Sequence, residues 1–174
     1  QLDPAALLKS HLPELPQQQM LPLLKQELGL PRLPRRIEAF DISNISGDYA
    51  VGSMVVFANG KANKNEYRKF KIKTVIGIDD VAMMKEVLVR RFRNRWPKPD
   101  LIILDGGKGH LNMAQKTIEE LRLEIPIIAV AKGPTRKNLN IQYPTLSTGR
   151  QVSNKIPKSE ILKLGNIFDI KALL

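Results

Sequence analysis

Alternating apolar and polar residues dominate the first patterned part of the chain. This two-residue period is typical of strands that have one solvated face. Three segments read as strands, and they are 36–43, 49–58 and 65–75. The letters "NGK" at 59–61 indicate a hairpin turn between the second and the third. We therefore predict an antiparallel meander, with Ile37, Ala39 and Asp41 on one face of its first strand.

The period lengthens in the second part of the chain. Apolar residues recur at helical spacing in 79–96 and 111–123. The segments 100–105 and 126–132 are short and largely apolar, as expected of parallel strands that are covered on both faces. Strands that alternate with helices imply right-handed βαβ units. The pattern thus predicts an α/β fold with a mixed sheet, in which a three-stranded antiparallel meander is followed by βα units.

Both ends of the chain differ from its middle. Residues 1–34 are rich in proline, and a short apolar stretch within them suggests an amphipathic helix that Gly29 would end. We interpret 1–34 as an N-terminal arm outside the core and 35–174 as the folded domain. The polar segment 133–160 suits a hairpin or a mobile loop. A helical pattern starts within 161–174, so we expect a domain cut short there, with frayed last residues.

The net charge of the chain favours a polyanionic partner. Lys and Arg total 28 and Asp and Glu total 17, which gives a net charge of +11. Nucleic acid is the favoured partner; an anionic membrane, a ribosomal surface or simply a solvated basic surface are the alternatives. The absence of cysteine excludes disulfides, thiolate zinc sites and cysteine nucleophiles and is compatible with the cytoplasm. No apolar run is long enough to span a membrane.

The candidate chemistry lies in "IILDGGKGHL" at 102–111. Asp105 ends a predicted parallel strand, where functional groups of such sheets collect, and Gly106 and Gly107 would let a ligand approach the backbone. Asp41 would face Asp105 if the first and fourth strands are neighbours. Two adjacent carboxylates repel each other unless a cation such as Mg²⁺ or Mn²⁺ lies between them. The pair therefore suggests metal-dependent hydrolysis of a phosphodiester.

Each of these residues also has a purely structural interpretation. Asp41 could satisfy backbone N–H groups, and Asp105 could form a turn. "GGKG" lacks the Walker spacing, so it is not a P-loop. The remaining candidates could equally be helix caps, structural groups or solvated side chains; they are Asp79, Asp80, Arg90, Arg91, Lys108, His11 and His110.

Several motifs resemble one family. "RIEAFDISNISGDYAVGSMVVF", "DDVAMMKEVLVRRF", "PDLIILDGGKGHLNMA" and "IIAVAKG" are similar to the C-terminal endonuclease domain of the bacterial excinuclease protein UvrC. The likeness covers roughly residues 20–137 and follows the family's motif order. It implies an RNase H-like fold and a role in nucleotide excision repair and the SOS response. It also implies incision of damaged double-stranded DNA on the 5′ side of the lesion, in a complex with the excinuclease protein UvrB.

The resemblance assigns roles to particular residues. Asp41 and Asp105 match the catalytic aspartates that bind Mg²⁺ or Mn²⁺, and Asp80 matches a further acid needed for incision. The family's catalytic histidine, in a "DEAH"-like motif, has no counterpart here, which implies that this chain alone has little or no incision activity. Contacts to UvrB would use parts of the family protein that this chain lacks. On charge and motif position, the expected DNA-binding residues are Arg68, Lys69, Arg90, Arg91, Lys108 and Lys132.

Two other functions remain open at this point. The chain could be an RNase H-like nuclease of the endonuclease V type, which would act on a deaminated base without protein partners. It could also be a DNA-binding module that keeps the fold without catalysis. Such a module would show salt-sensitive affinity for DNA but no specific cation site.

Overall fold

A computed structural model describes residues 17–45, 49–132 and 139–142. The helices are α1 (Gln17–Glu27), α2 (Asp80–Arg93) and α3 (Lys108–Glu120). The strands are β1 (Arg36–Ile45), β2 (Tyr49–Ala58), β3 (Lys61–Ala62), β4 (Arg68–Lys71), β5 (Leu101–Asp105), β6 (Ile127–Lys132) and β7 (Leu139–Gln142). None of the helices among these residues is long and apolar enough to cross a lipid bilayer.

The strands form one mixed sheet in the order β3-β2-β1-β5-β6-β7, and β4 also pairs with β2. The β1–β2 and β2–β4 pairs are antiparallel, whereas β1–β5 and β5–β6 are parallel. The prediction of an α/β fold with an antiparallel meander followed by βα units is therefore confirmed. The first predicted strand indeed lies beside the fourth, because β1 pairs with β5.

The third predicted strand, 65–75, is wrong at both ends. A 3₁₀ turn occupies Lys64–Glu66, and β4 comprises only Arg68–Lys71. The backbone N–H groups of Lys73 and Thr74 donate to the Glu86 carboxylate instead of extending the ladder. Residues 72–79 therefore form an irregular loop that joins β4 to α2. The predicted hairpin at 59–61 is present.

In that hairpin, Asn59 and Gly60 have φ values of 51° and 80°, as a type I′ turn requires. The predicted turn is therefore confirmed, but it joins β2 to the short strand β3, which the sequence pattern did not predict, and not to the third predicted strand.

Helices α2 and α3 cover one face of the sheet. Their buried residues, such as Met84, Leu88 and Ile118, pack against Phe40 and Ile102 of the central strands. Asp79 caps α2 by accepting a hydrogen bond from the backbone N–H of Ala82 at 2.9 Å. This is the capping role that the sequence indicated for one of the two adjacent aspartates.

Helix α1 covers the other face, which we call the α1 face. Met20, Leu24 and Leu28 are buried against a cluster of apolar strand residues that includes Ile37 and Ile103. The interpretation of residues 1–34 as an arm outside the core is therefore wrong for their described part. Without this helix the apolar strand residues on that face would be exposed to water, so the boundary at residue 34 does not separate arm from core.

The C-terminal part of the chain is described at β7 alone. This strand pairs antiparallel with β6, which precedes the polar segment 133–160. The expectation of a hairpin or a mobile loop in the rest of that segment lies outside the described residues. The predicted helix start within 161–174 and the expected fraying lie outside the described residues.

Candidate active site at the carboxyl edge of the sheet

Asp41 and Asp105 lie side by side on neighbouring parallel strands. The β1–β5 register runs from Ile37 opposite Leu101 to Phe40 opposite Leu104. The next pair in this register is Asp41 and Asp105, whose backbones are therefore about 4.8 Å apart. Residues at the same level of a sheet point to the same face, so both carboxylates lie on the α1 face. They mark what we call the carboxyl edge, at the end of β5.

The row of side chains that starts with Asp105 and Asp41 continues onto β2 and β4 of the meander. Asp41 is paired with Ser53 of β2, and Ser53 is paired with Lys69 of β4. A row of four side chains, Lys69, Ser53, Asp41 and Asp105, thus crosses the α1 face at the carboxyl edge. The Lys69 side chain is exposed. The row places a cation about two strand spacings, or about 10 Å, from Asp41.

Hydrogen bonds fix the Asp41 carboxylate and the backbone that follows Asp105. Asp41 is 9% exposed, and its Oδ2 accepts a hydrogen bond from the Ser43 hydroxyl at 3.2 Å. Asp105 is partly exposed at the end of β5. The backbone after it is fixed because the N–H of Gly106 donates to the carbonyl of Val130 at 3.0 Å. Both acids therefore project from a rigid part of the sheet.

The two glycines that follow Asp105 have different environments. A Cβ at Gly106 would lie 2.5 Å from Cγ and Nδ1 of His110, so the imidazole occupies the space where a side chain would be. A Cβ at Gly107 would have no atom within 4 Å. The proposed access for a ligand therefore applies to Gly107, whereas Gly106 accommodates His110. Sequence reasoning missed this contact between residues four apart at the start of α3.

Asp80 lies apart from the other two acids. It is the first residue of α2 and is exposed, in the helix layer rather than on the α1 face. The start of α2 adjoins the start of α3, because a Cβ at Gly109 would lie 3.8 Å from Cγ2 of Val81. Within 17–45, 49–132 and 139–142, no three His, Cys, Asp or Glu side chains are grouped closely enough to hold a metal ion. Of the three predicted acids, the fold brings together Asp41 and Asp105.

Arg91 does not belong to a DNA-binding surface. Its side chain is fully buried and forms two hydrogen bonds with the Glu38 carboxylate, at 2.7 and 2.8 Å. It also donates to the carbonyl of Pro97 at 2.6 Å. The prediction that Arg91 contacts DNA is therefore wrong, because a phosphate cannot reach a guanidinium inside the core. Burial on the inner face of α2 was readable from its helical spacing with Leu88 and Val87.

Arg90 mainly stabilises the fold, through hydrogen bonds between α2 and the end of β4. It donates to the carbonyl of Lys71 at 2.6 Å and to Glu86 at 3.0 Å. Glu86 also accepts from Thr74 and from the backbone of Lys73. Burial raises the pKa of the Glu86 carboxyl, but these hydrogen bonds outweigh it and hold the pKa below its ordinary value of 4.5. The ionised carboxylate therefore fastens the loop 72–79 to α2.

The other expected DNA-binding residues differ in exposure. Arg68 faces the helix layer, donates to the carbonyls of Asn65 and Tyr67, and lies 5.2 Å from the Trp96 ring centroid. Burial raises the pKa of the neighbouring Tyr67 hydroxyl. The side chains of Lys69 and Lys108 are exposed at the carboxyl edge. Lys132 ends β6, and its side chain lies outside the described part.

Comparison with known proteins identifies a family. A model described as the UvrC RNAse H endonuclease domain matches residues 25–165. The UvrABC system protein C of Bacteroides fragilis is 49% identical over 135 residues, which cover 74% of this chain and 22% of that protein. The same protein of Methanococcoides burtonii is 50% identical over 131 residues, covering 71% of this chain and 22% of that protein. The chain thus spans about a fifth of the length of these relatives.

A solved structure also matches, more distantly. Ciona intestinalis endonuclease V, in complex with a 24mer DNA containing an inosine followed by a ribo-adenosine, is 16% identical with a TM-score of 0.44. The match covers 97% of this chain and 68% of that one. The family match confirms the RNase H-like fold that the motifs implied. On the extent of that match, the chain belongs to the UvrC RNase H endonuclease domain family.

Proposed function

We propose that this domain is a metal-dependent DNA endonuclease that makes the 5′ incision at damaged double-stranded DNA in nucleotide excision repair. Family membership supports the repair context and the nuclease reaction. The metal, the position of the cut and the partner are part of the proposal. We place the reaction in the cytoplasm, within a complex that includes the excinuclease protein UvrB.

One observation supports the proposal most directly: Asp41 and Asp105 lie opposite each other on neighbouring parallel strands. Two carboxylates on one face of adjacent strands repel each other unless a cation lies between them. Mg²⁺ is commonly bound by one or two carboxylates together with water and substrate phosphate. Asp41 and Asp105 would therefore hold Mg²⁺ or Mn²⁺ as a pair, with water and a DNA phosphate as the remaining ligands.

The residues around the pair would position the substrate. When bound, the cation would polarise the phosphoryl oxygen and neutralise the charge that develops on it. The Ser43 hydroxyl orients the Asp41 carboxylate through its hydrogen bond. The open space at Gly107 leaves room for the DNA backbone. Exposed Lys69 and Lys108 would hold phosphates on either side of the acids.

In this proposal Asp80 does not bind the metal, and not every expected basic residue contacts DNA. Asp80 lies at the edge of the helix layer, where it would act on the substrate from outside the metal pair. Lys132 is retained as a phosphate contact because β6 ends beside β5 at this edge. Arg68 and Arg90 are left out, since their guanidinium groups are already bonded within the protein.

The test uses a full-length protein that carries this chain, in a reconstituted excision reaction on a duplex with one defined lesion. Asp41→Asn and Asp105→Asn should each lower 5′ incision by at least about 100-fold, because loss of cation binding removes several kcal/mol of stabilisation. The control is Glu124→Gln, an exposed acid just before β6 at the opposite edge of the sheet. Full incision by either Asp variant would overturn the assignment.

The same reaction tests the remaining parts of the proposal. Omission of UvrB should prevent incision, and omission of divalent metal should do so as well. Cleavage of inosine-containing DNA without partners would instead favour an endonuclease V type of activity. Neither histidine of the chain matches the family's histidine motif. We therefore expect the 174-residue chain alone to show little or no nicking of DNA, because a positioned acid or base contributes about 10²–10⁴-fold.

A further inference from the structure

Two large aliphatic side chains are exposed in the loop between β4 and α2. Ile76 is 98% exposed and Ile78 is 90% exposed, and they are the exposed large hydrophobic residues of the described ranges. Water around apolar surface is unfavourable, so a side chain of this kind gains free energy when another surface covers it. Isoleucine is also stiff about χ1, so covering it costs little rotamer entropy. Both residues thus suit a contact surface.

The loop is anchored at both ends, so its exposure is a feature of an ordered segment. The Glu86 carboxylate accepts hydrogen bonds from the N–H of Lys73 and from the N–H and hydroxyl of Thr74, at 2.7–3.2 Å. Asp79 is held by its cap on α2. Between the two isoleucines, Gly77 has a φ of +83°, a left-handed conformation that favours glycine. The backbone therefore turns at Gly77, and the two isoleucines lie in a segment whose ends are hydrogen-bonded to α2.

The loop lies at the edge that holds the candidate active site. Strands β4 and β1 both pair antiparallel with β2, so they run in the same direction. The loop consequently leaves β4 at the carboxyl edge. The end of β4, where the loop starts, lies two strand spacings from β1 and three from β5, which is about 10–15 Å. At about 3.4 Å per base pair, this distance corresponds to three or four base pairs.

The charge around the loop favours DNA over a protein as the covering surface. Exposed Lys69, Lys71 and Lys73 lead into it from β4. On its other side lie two acids: Asp79, which caps α2, and Asp80, the exposed first residue of that helix. The three lysines outnumber these two carboxylates, so the surroundings of the loop remain basic. The cores of protein–protein interfaces are depleted in lysine, whereas proteins that bend DNA combine lysines on phosphates with isoleucine or leucine wedges between base steps.

We propose that Ile76 and Ile78 form an apolar wedge that enters the minor groove and partly unstacks a base step within about four base pairs of the cut phosphate. This inference rests on the proposed DNA endonuclease function and names how the same site engages its substrate. The lysines hold the adjacent phosphates, and the isoleucines cover the exposed base faces. The resulting kink brings the backbone towards Asp41 and Asp105.

The experiment uses a full-length protein that carries this chain, assembled on a lesion-bearing duplex with metal withheld so that the DNA stays intact. 2-Aminopurine is placed singly at successive positions around the 5′ incision site, and its fluorescence rises where stacking is lost. The unaltered protein should give a rise at one or two positions within about four base pairs of that site. Incision is then measured in parallel after metal is added.

Substitutions in the loop separate the apolar contact from charge. Ile76→Ser with Ile78→Ser should return the fluorescence to that of free duplex and slow incision, whereas Ile76→Leu with Ile78→Leu should preserve both. Both side chains lack packing, so thermal unfolding should be unchanged in either variant. Lys73→Ser should weaken binding and reduce its salt dependence but keep the fluorescence rise.

Three results would overturn the wedge. One is unchanged fluorescence and incision in the double serine variant, alongside normal incision by the unaltered protein; the proposed function would then stand. The second is a double serine variant that binds and unstacks DNA normally but no longer binds UvrB, which would make the loop a protein-docking surface. The third is an unaltered protein that neither binds nor cuts DNA, which would remove the proposed function and the wedge together.

Discussion

Gly106 and Gly107 are adjacent residues that lack a side chain for different reasons. The imidazole of His110 fills the position that a Cβ of Gly106 would take, whereas Gly107 faces open space. Neither has a positive φ, so the backbone of both positions is compatible with alanine. Their tolerance to a methyl group should therefore differ for reasons of packing alone.

We expect Gly106→Ala to lower the free energy of unfolding by about 1–3 kcal/mol, the usual cost of overpacking. Gly107→Ala should change it by less than about 0.5 kcal/mol. Urea unfolding of the two variants measures both effects. Adding His110→Ala to Gly106→Ala should relieve the clash and recover part of the lost stability. Equal stability of the two single variants would contradict the assigned contact.

Single residues also show what the sequence could and could not predict. The pairing of Asp41 with Asp105 followed from their positions at strand ends, because parallel strands align their carboxyl ends. The burial of Arg91 was assigned wrongly, since charge suggested a surface residue although its spacing put it on the inner face of α2. Its acidic partner, Glu38, lies 53 residues away, and no local pattern reveals such a pair.

At the scale of elements, the loop 72–79 forms because hydrogen bonds to Glu86 outweigh the preference of the local sequence for a strand. Residues 72–75 were predicted to continue the strand, yet Glu86 binds the amides of Lys73 and Thr74. The last ladder hydrogen bond is therefore the one from the Ile72 N–H to the Ala50 carbonyl. Helix α1 shows a second case in which a tertiary contact decides the structure, here through packing of apolar residues. The prolines of residues 1–34 suggested an arm, yet the apolar stripe of α1 completes the core. Strands and helices were otherwise placed within a few residues, because their hydrophobic periods are strong.

The loop should loosen in acid. The pKa of Glu86 is lowered in the folded protein, so its contribution to stability is present above pH 4.5 and is lost as the pH falls through the folded pKa. We expect the amide NMR shifts of Lys73 and Thr74 to move together with a midpoint below pH 4.5. The Glu86→Gln variant should show no such transition. A midpoint above the ordinary glutamate value would contradict the bonding described for this carboxylate.

Helix α1 should contribute to the stability of the whole domain. Leu24 is 2% exposed, and Leu24→Ala should lower the free energy of unfolding by about 2–5 kcal/mol, as other buried leucines do. Leu23→Ala, in the same helix at a half-buried position, is the matched control and should cost clearly less. If Leu24→Ala and Leu23→Ala had equally small effects in chemical denaturation, α1 would be a peripheral arm and not part of the core.

At the scale of the whole molecule, charge and fold converge on one edge of the sheet. The carboxyl ends of β1, β4 and β5 bring together an acid pair, a basic strand and an apolar loop. The sequence predicted the acids and the basic character of this edge. It did not predict the row from Lys69 to Asp105, because that row depends on the register of four strands.

Lys69 should contribute to the salt dependence of DNA binding. One phosphate contact accounts for about 0.9 in the slope of log affinity against log salt on B-DNA. Lys69→Gln should reduce the slope by about this amount. Lys85→Gln is the control, because Lys85 lies in the helix layer and pairs with Glu120 at 3.5 Å. Equal slopes for Lys69→Gln and the unaltered protein would exclude a phosphate contact at Lys69.

The central claim is that Asp41 and Asp105 share one divalent cation. A crystal structure of this chain soaked in Mn²⁺, with anomalous scattering recorded at the manganese edge, tests it most directly. We expect one peak about 2.0–2.3 Å from oxygens of both carboxylates, on the α1 face at the carboxyl edge. The peak should vanish in Asp41→Asn and in Asp105→Asn but remain in Glu124→Gln. Manganese bound elsewhere, or bound equally well in either Asp variant, would contradict the account.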